Sequence, residues 1–201
     1  MAKNFAEIAF TESVKAQQEK YGSRRSYAKM EAQARGTELS FAEADFIAER
    51  ESFYLSTVGE NGYPYVQFRG GPKGFLKVLD PATLAFADYR GNRQLLSTGN
   101  FHVNDRVALF LMDYKNRARL KILGHARVED VRENTALAER LAQGDMRNKA
   151  ERVVIIEVVS YDWNCPKYIT PRYSLDEVEE AIAPLKSRIA ELEAQLGLVR
   201  A

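Results

Sequence analysis

The residues best suited to chemistry lie in the middle of the chain, in the loop Asp88-Tyr-Arg-Gly-Asn92-Arg93-Gln94. A glycine there precedes a predicted helix start, Asn92 is placed to cap that helix, and Arg93 adds a planar, permanently charged donor. Backbone N–H groups at a helix N-terminus beside a guanidinium favour an anion such as a phosphate; the same residues also read as an ordinary capped turn. Arg119 and Lys121 have equal parity on one predicted strand, so both point to one face. Arg69 ends another strand beside Gly70 and Gly71, where missing side chains let a flat ring approach the backbone. Taken singly, each of these cations also fits the solvated face of a half-exposed sheet.

The reagents for self-contained chemistry are few. A zinc site takes three or four ligands, and the whole His and Cys inventory is His102, His125 and Cys165, with neither CxxC nor HExxH spacing. No GxSxG accompanies a histidine, and neither GxGxxG nor GxxxxGK[ST] occurs. His102 is placed to face a ligand from a helix end, His125 reads as a structural histidine, and Cys165 reads as packed. A borrowed cofactor is the expected reagent.

Charge is unevenly spread over the 201 residues. The formal net charge is +1, yet residues 64–127 carry +7, against −2 for 1–63 and −4 for 128–201. A cationic middle suits a phosphate ligand or nucleic acid; acidic flanks and near-zero total charge argue against a nucleic-acid surface, despite Tyr63, Tyr65, Phe68 and Phe75 being available for stacking. Composition is that of a soluble globular protein. No apolar run reaches the ~20 residues of a membrane span, the charged start lacks a signal-peptide core, and a single cysteine fits a cytoplasmic setting.

These residues need a frame to position them. Residues 1–52 read as helical: Ser23 starts a helix running to Arg35, which Gly36 ends, and Ser40 with Glu43 forms a capping box. The pattern then turns to β. Residues 53–58 and 63–69 flank the turn Glu60-Asn61-Gly62, and 75–79 and 83–87 flank Asp80-Pro81. A short helix from about 93 to 101 follows, then strands at 106–112 and 119–128, the latter with a bulge at Gly124. Residues 131–151 read as a helix broken at Gly144, and 152–159 as the last strand. Such short strands with glycine-marked turns suggest a closed antiparallel barrel with helices at its ends. Beyond it, Ser174 and Glu177 form another capping box, and Val178, Ile182, Leu185, Ile189, Leu192, Leu196 and Val199 alternate steps of four and three. That helix either pairs with another subunit or lies on its own barrel, and Pro184 should break or kink it.

The order FIAERESFYLSTVGENGYPYVQFRGG, LAFADYRGNRQLLSTGNF, DRVALFLMDY and RLKILGHARVED resembles the pyridoxamine 5'-phosphate oxidase-like family of FMN-binding split-barrel proteins over roughly residues 41–165. YGSRRSYAKM and NCPKYI are similar to an uncharacterised subgroup. The resemblance implies a mainly β fold, an antiparallel split barrel at 53–165, with an N-terminal helical segment at 1–52 and a C-terminal extension bearing a long helix at 166–201. It further implies a homodimer with FMN at the subunit interface. Gln67, Phe68, Arg69, Gly70 and Gly71 match the strand lining the flavin ring and ribityl chain. Asn92, Arg93 and Gln94 match the phosphate-binding Ser-Arg-Lys element, with Asp88 at an upstream Thr position. Arg119 stands at the flavin-contacting Gln, and Trp163 at a Trp after the last barrel strand.

Departures narrow the expectation. The phosphate Lys is Gln94, for which Arg93, Lys121 or Arg69 must compensate. The strand Arg and Lys of true pyridoxamine-phosphate oxidases are Gln67 and Pro72, and WNCPKYITPRYS stands where those enzymes hold pyridoxal phosphate. The expectation is therefore a flavin-dependent oxidoreductase with an unknown small-molecule substrate rather than a vitamin B6 oxidase. Arg119 or Arg69 near the flavin pyrimidine would stabilise the anionic reduced ring. The alternative is a non-catalytic flavin-binding sensor whose C-terminal heptads engage a partner.

Overall fold

The computed structural model describes residues 3–32, 37–142, 150–163 and 165–197. The chain divides into two units, one of Met1–Met112 with Arg119–Cys165, the other of Asp113–Ala118 with Pro166–Ala201. The first unit is built on seven antiparallel strands: β1 (Ser52–Val58), β2 (Pro64–Gly70), β3 (Lys77–Asp80), β4 (Thr83–Tyr89), β5 (Arg106–Asp113), β6 (Ala118–Asp130) and β7 (Ala150–Trp163). They form one sheet in the order β2-β1-β5-β6-β7-β4-β3.

Side-chain alternation decides how that sheet curls. Phe53 and Leu55 of β1, Val107, Leu109 and Leu111 of β5, Leu120 and Ile122 of β6, Val154 and Ile156 of β7, and Leu84 and Phe86 of β4 form one buried core. Strands far apart in the order meet across it. Phe53 packs edge-on to Phe86 at 5.4 Å between ring centroids, and Arg69 Nη1 of β2 reaches Asp88 Oδ1 of β4 at 2.5 Å. The sheet is thus rolled so that its two ends face each other, the split-barrel form expected from the sequence. Burying the aromatic trio Phe53, Phe75 and Phe86 contributes roughly 1.5–3 kcal/mol per ring.

Helix α4 (Phe41–Ala48) closes part of the barrel. Its capping box, Ser40 with Glu43, forms as expected, and Ile47 is fully buried in the core. Gly74, at φ +70°, lets the chain turn tightly here: a Cβ would stand 2.7 Å from the Ala48 carbonyl oxygen. At Gly124 the β6–β7 register shifts, as the glycine suggested; a Cβ there would lie 2.6 Å from the Glu157 carbonyl oxygen. Before the barrel come α1 (Phe5–Ala9), α2 (Glu12–Lys20) and α3 (Arg24–Ala32), tied by Arg24 to Gln18 and Glu31. The expected end of α3 at Arg35 and Gly36 lies outside the described residues.

Several boundaries differ from expectation. The helix expected from 93 begins at Leu96 and ends at Val103 (α5), because Arg93 and Leu95 adopt left-handed φ of 59° and 56° and cannot join a right-handed helix. The helix expected over 131–151 is α6 (Thr135–Leu141), with Val131–Glu133 in a turn and Ala150–Glu151 in β7; the break at Gly144 lies outside the described residues. Phe75 and Leu76 are buried loop residues, and β3 starts at Lys77.

The second unit carries α7 (Leu175–Gln195), whose capping box of Ser174 and Glu177 forms as expected. The helix runs unbroken through Pro184. Val178, Leu185, Ile189, Leu192 and Leu196 are exposed. Within this unit Lys115 Nζ pairs with Glu177 at 3.3 Å and Arg172 lies over the Tyr114 ring. Among the described residues, no helix is long and apolar enough to cross a membrane.

Candidate functional site

At one end of the barrel, three strands direct charged side chains inward where apolar parity would place hydrophobes. Arg69 follows Tyr65 and Gln67 on the inner face of β2, Asp88 follows Leu84 and Phe86 on β4, and Arg152 precedes Val154 and Ile156 on β7. Asp88 is 5% exposed, a depth at which a carboxylate needs partners. It has two: Arg69 on Oδ1, and Arg152 Nε on Oδ2 at 2.9 Å. Arg69 also lies over the Phe86 ring at 5.6 Å.

A second acid serves the same cluster. Asp88 pairs with Arg152 and Tyr89 with Ala150, so Glu151 is the extra residue of a β-bulge. A bulge bends the strand and re-aims a side chain, and Glu151 meets Arg93, Arg152 Nη1 at 3.2 Å and, more loosely, Arg90 at 3.8 Å. Its carboxyl is held below the usual range first by the Arg93 hydrogen bond, against the opposing cost of burial.

The loop between β4 and α5 forms the wall of this cluster. Asn92 Oδ1 accepts from Gln94 N–H at 3.1 Å, an Asx turn rather than a helix cap. The left-handed Arg93 and Leu95 cost roughly 1–2 kcal/mol each, the kind of local strain that gathers at ligand sites. Leu95, at the N-cap of α5, has no side-chain oxygen to offer the first helical N–H groups. Ser97 and Asn100 of α5 donate to Gln67 and Thr57, fixing the helix to β2 and β1.

These parts line one cavity of about 120 Å³ bounded by Tyr65, Gln67, Arg69, Asp88, Tyr89, Asn92, Arg93, Gln94, Ser97 and Arg152, among others. It opens beside two troughs of about 570 and 600 Å³: one shares Arg93, Thr98 and Arg152 and includes His102, and the other shares Tyr65 and Leu96. Arg69 Nε and Tyr89 Oη are buried behind this wall without a hydrogen-bond partner.

Of the residues singled out from sequence, Gln67, Arg69, Asp88, Asn92, Arg93 and Gln94 thus come together. The others stand elsewhere. Phe68 is 60% exposed on the outer face of β2 beside Tyr54. Arg119 lies over Phe110 and Lys121 pairs with Asp162 at 2.8 Å, both opposite the core side of β6. The space at Gly70 and Gly71 is bordered by the chain's own rings, Phe68 Cε1 at 2.9 Å and Phe75 Cγ at 2.7 Å from an added Cβ. Trp163 donates its indole N–H to Glu43 at 2.6 Å and meets Phe46 edge-on.

Tyr65, Tyr89, Ser97, Glu151 and Arg152 were missed from the sequence. For Arg152 the signal was available: it has the parity of Val154 and Ile156, so a charge there points into the barrel. Among the described residues, no three His, Cys, Asp or Glu side chains are grouped to hold a metal ion.

The family model described as pyridoxamine 5'-phosphate oxidase matches residues 40–161. HupZ of Group A Streptococcus is similar in structure, with a TM-score of 0.51 and 16% identity over 67% of this chain and 100% of that one. A Lactobacillus delbrueckii protein, provisionally described as a pyridoxamine 5'-phosphate oxidase, has a TM-score of 0.50 and 21% identity over 63% of this chain and 95% of its own. At these identities the likeness is one of fold. No curated protein sequence matches the chain.

Proposed function

The chain belongs to the pyridoxamine 5'-phosphate oxidase family, and on that premise we propose that it is a cytoplasmic, homodimeric FMN-binding oxidoreductase acting on a small-molecule substrate. The observation that carries the reading is the surplus of guanidinium groups at the barrel end: Arg69 and Arg152 share Asp88 and Arg93 is met by Glu151, three cations against two carboxylates. A cavity of about 120 Å³ lies below the ~300–1,000 Å³ of whole-ligand pockets and suits an anionic head group, with the rest of the ligand extending into the adjoining troughs. Asn92 and Arg93 would hold the phosphate, and Gln67 would lie along the ribityl chain. Bound FMN would supply two-electron redox chemistry.

Two sets of the proposed cofactor residues stand on opposite faces of the sheet: Gln67, Arg69 and Asp88 inward, Phe68, Arg119 and Lys121 outward. One flavin reaches both sets when two copies of the chain each lend one. The outward face suits a second copy, because Tyr54, Val66 and Phe68 are exposed there and an apolar cavity of about 360 Å³ lies among Tyr54, Val66, Phe110 and Phe5. A guanidinium from Arg119, whose Nε has no internal partner, would then stabilise negative charge on a reduced ring. Gly70, Gly71 and Trp163 complete the proposed set of flavin contacts.

The test is the visible spectrum and flavin titration of freshly purified protein. A yellow protein, or saturable quenching of FMN fluorescence, is expected. Colourless protein whose melting temperature ignores millimolar FMN would overturn the reading.

A further inference from the structure

The loop that should grip a phosphate is short of charge. Gln94 is neutral, so Asn92, Arg93 and Gln94 offer a single cation, and Arg93 is 56% exposed and already paired with Glu151. A phosphate monoester carries about −1.5 to −2 at neutral pH, more than Arg93 can balance, and Arg90 of the same loop is 65% exposed and outside the residues that line the cavity.

Arg152 tips the balance: with Arg69 and Arg93 it sets three guanidiniums against the two carboxylates of Asp88 and Glu151, a surplus that vanishes without it. Its side chain is only 19% exposed and is held at two points, Nε on Asp88 Oδ2 at 2.9 Å and Nη1 on Glu151 Oε2 at 3.2 Å. A guanidinium has five N–H donors in a rigid fork; two are used here, and the rest are already oriented. The residue lines both the small cavity and the trough beside it, as do Arg93 and Thr98.

Glu151 shows where an anion lies between the two cations, since its one carboxylate is shared by Arg93 and Arg152. Arg69 has no such link to Arg93; its partner is Asp88. The bulge at Glu151 makes the sharing possible, because consecutive residues of a regular strand point to opposite faces.

We propose that Arg152 is the residue that makes this site prefer a phosphorylated flavin to an unphosphorylated one, acting with Arg93 in the place where Gln94 brings no charge. The assignment rests on the flavin-binding reading above and extends it to a residue on β7.

The experiment measures dissociation constants for FMN and riboflavin by fluorescence quenching, on the full chain and on variants checked for folding by circular dichroism. Wild type binds FMN more tightly than riboflavin. Arg152→Gln lowers that preference roughly 10- to 100-fold, the range of a charge-assisted hydrogen bond, and leaves riboflavin affinity unchanged. Adding Gln94→Lys to Arg152→Gln restores much of the preference, which a merely structural role for Arg152 would not allow. Should Arg152→Gln not fold, Arg152→Lys keeps a cation beside Asp88 and loses the fork, and the preference still falls. An unchanged FMN-to-riboflavin ratio in the folded variant overturns the assignment alone. Wild type that binds neither flavin overturns the flavin reading and this assignment with it.

Discussion

Asp88 and Glu43 are both carboxylates with 5% exposure, yet the regions around them are built on opposite principles. Glu43 is met by neutral donors: the Ser40 backbone N–H and hydroxyl on one oxygen and the Trp163 indole on the other. Asp88 is met by two guanidiniums from strands on either side of the barrel opening. The first arrangement is closed, for each donor is satisfied and the acid serves to fasten α4 to β7. The second leaves net positive charge beside a cavity, with Arg69, Arg93 and Arg152 against Asp88 and Glu151. Burial of an acid therefore marks a site only where its partners carry more charge than it neutralises, and that surplus distinguishes the barrel end from the α4 junction.

The largest effect is expected at Asp88. Asp88→Ala leaves two partly buried guanidiniums facing each other, which on the scale of broken buried pairs costs about 3–5 kcal/mol. Chemical denaturation should show a matching fall in the transition midpoint; a loss below about 1 kcal/mol, the surface-pair scale, would mean that the pair is solvent-screened and the contrast with Glu43 is one of degree.

A smaller loss is expected at the closed junction. Trp163→Phe removes one hydrogen bond to a charged acceptor, worth about 1.5–3 kcal/mol. It also changes the acid response. Burial pushes the Glu43 carboxyl up, but the Ser40 hydroxyl, the Trp163 indole and the Ser40 N–H outweigh it and hold it below the usual range. A carboxyl with a depressed folded pKa contributes stability that is present above its unfolded value of about 4.3 and is lost as pH falls through the folded value. Wild type should therefore keep this contribution to lower pH than Trp163→Phe, whose acid unfolding midpoint moves upward. Coincident acid titrations by circular dichroism would remove Glu43's assigned role.

The smallest effect on stability is expected on the outer face. Phe68→Asp alters an exposed position and should change monomer stability by no more than about 0.5 kcal/mol. Its consequence is for the proposed assembly of two copies: sedimentation should show weaker self-association than in wild type. An unaltered association constant would mean that two copies do not meet on the face that bears Tyr54 and Val66.

Much of this was legible in the chain. The turn at Glu60-Asn61-Gly62 joins β1 to β2 as read, Gly124 marks a register shift, and the capping boxes at Ser40 and Ser174 start α4 and α7. Those are local signals, each set by the chemistry of a few neighbouring residues. Where local signals misled, the cause was a conformation that only the assembled loop sustains. Arg93 and Leu95 are left-handed despite having side chains, so α5 starts late. Ala150 and Glu151 extend β7 because β4 pairs with Ala150 and Arg152 on either side of the bulge, although the sequence reads as helix through to Glu151.

The candidate site divides the same way. Residue types alone determined that His and Cys are too few for common self-contained chemistry, that positive charge is concentrated in residues 64–127, and that the loop at Asn92-Arg93-Gln94 lacks a lysine. Alternation of side chains then allowed inward and outward positions on each strand to be told apart. Only the tertiary structure decided which charges meet. Rolling the sheet brings β2 against β4, so Arg69 finds an acid 19 residues away, and the β4–β7 ladder brings Arg152 to that same acid from 64 residues away. Charge balance in a buried cluster is a property of strands assembled in space, and the spacing of residues along the chain carries no record of it.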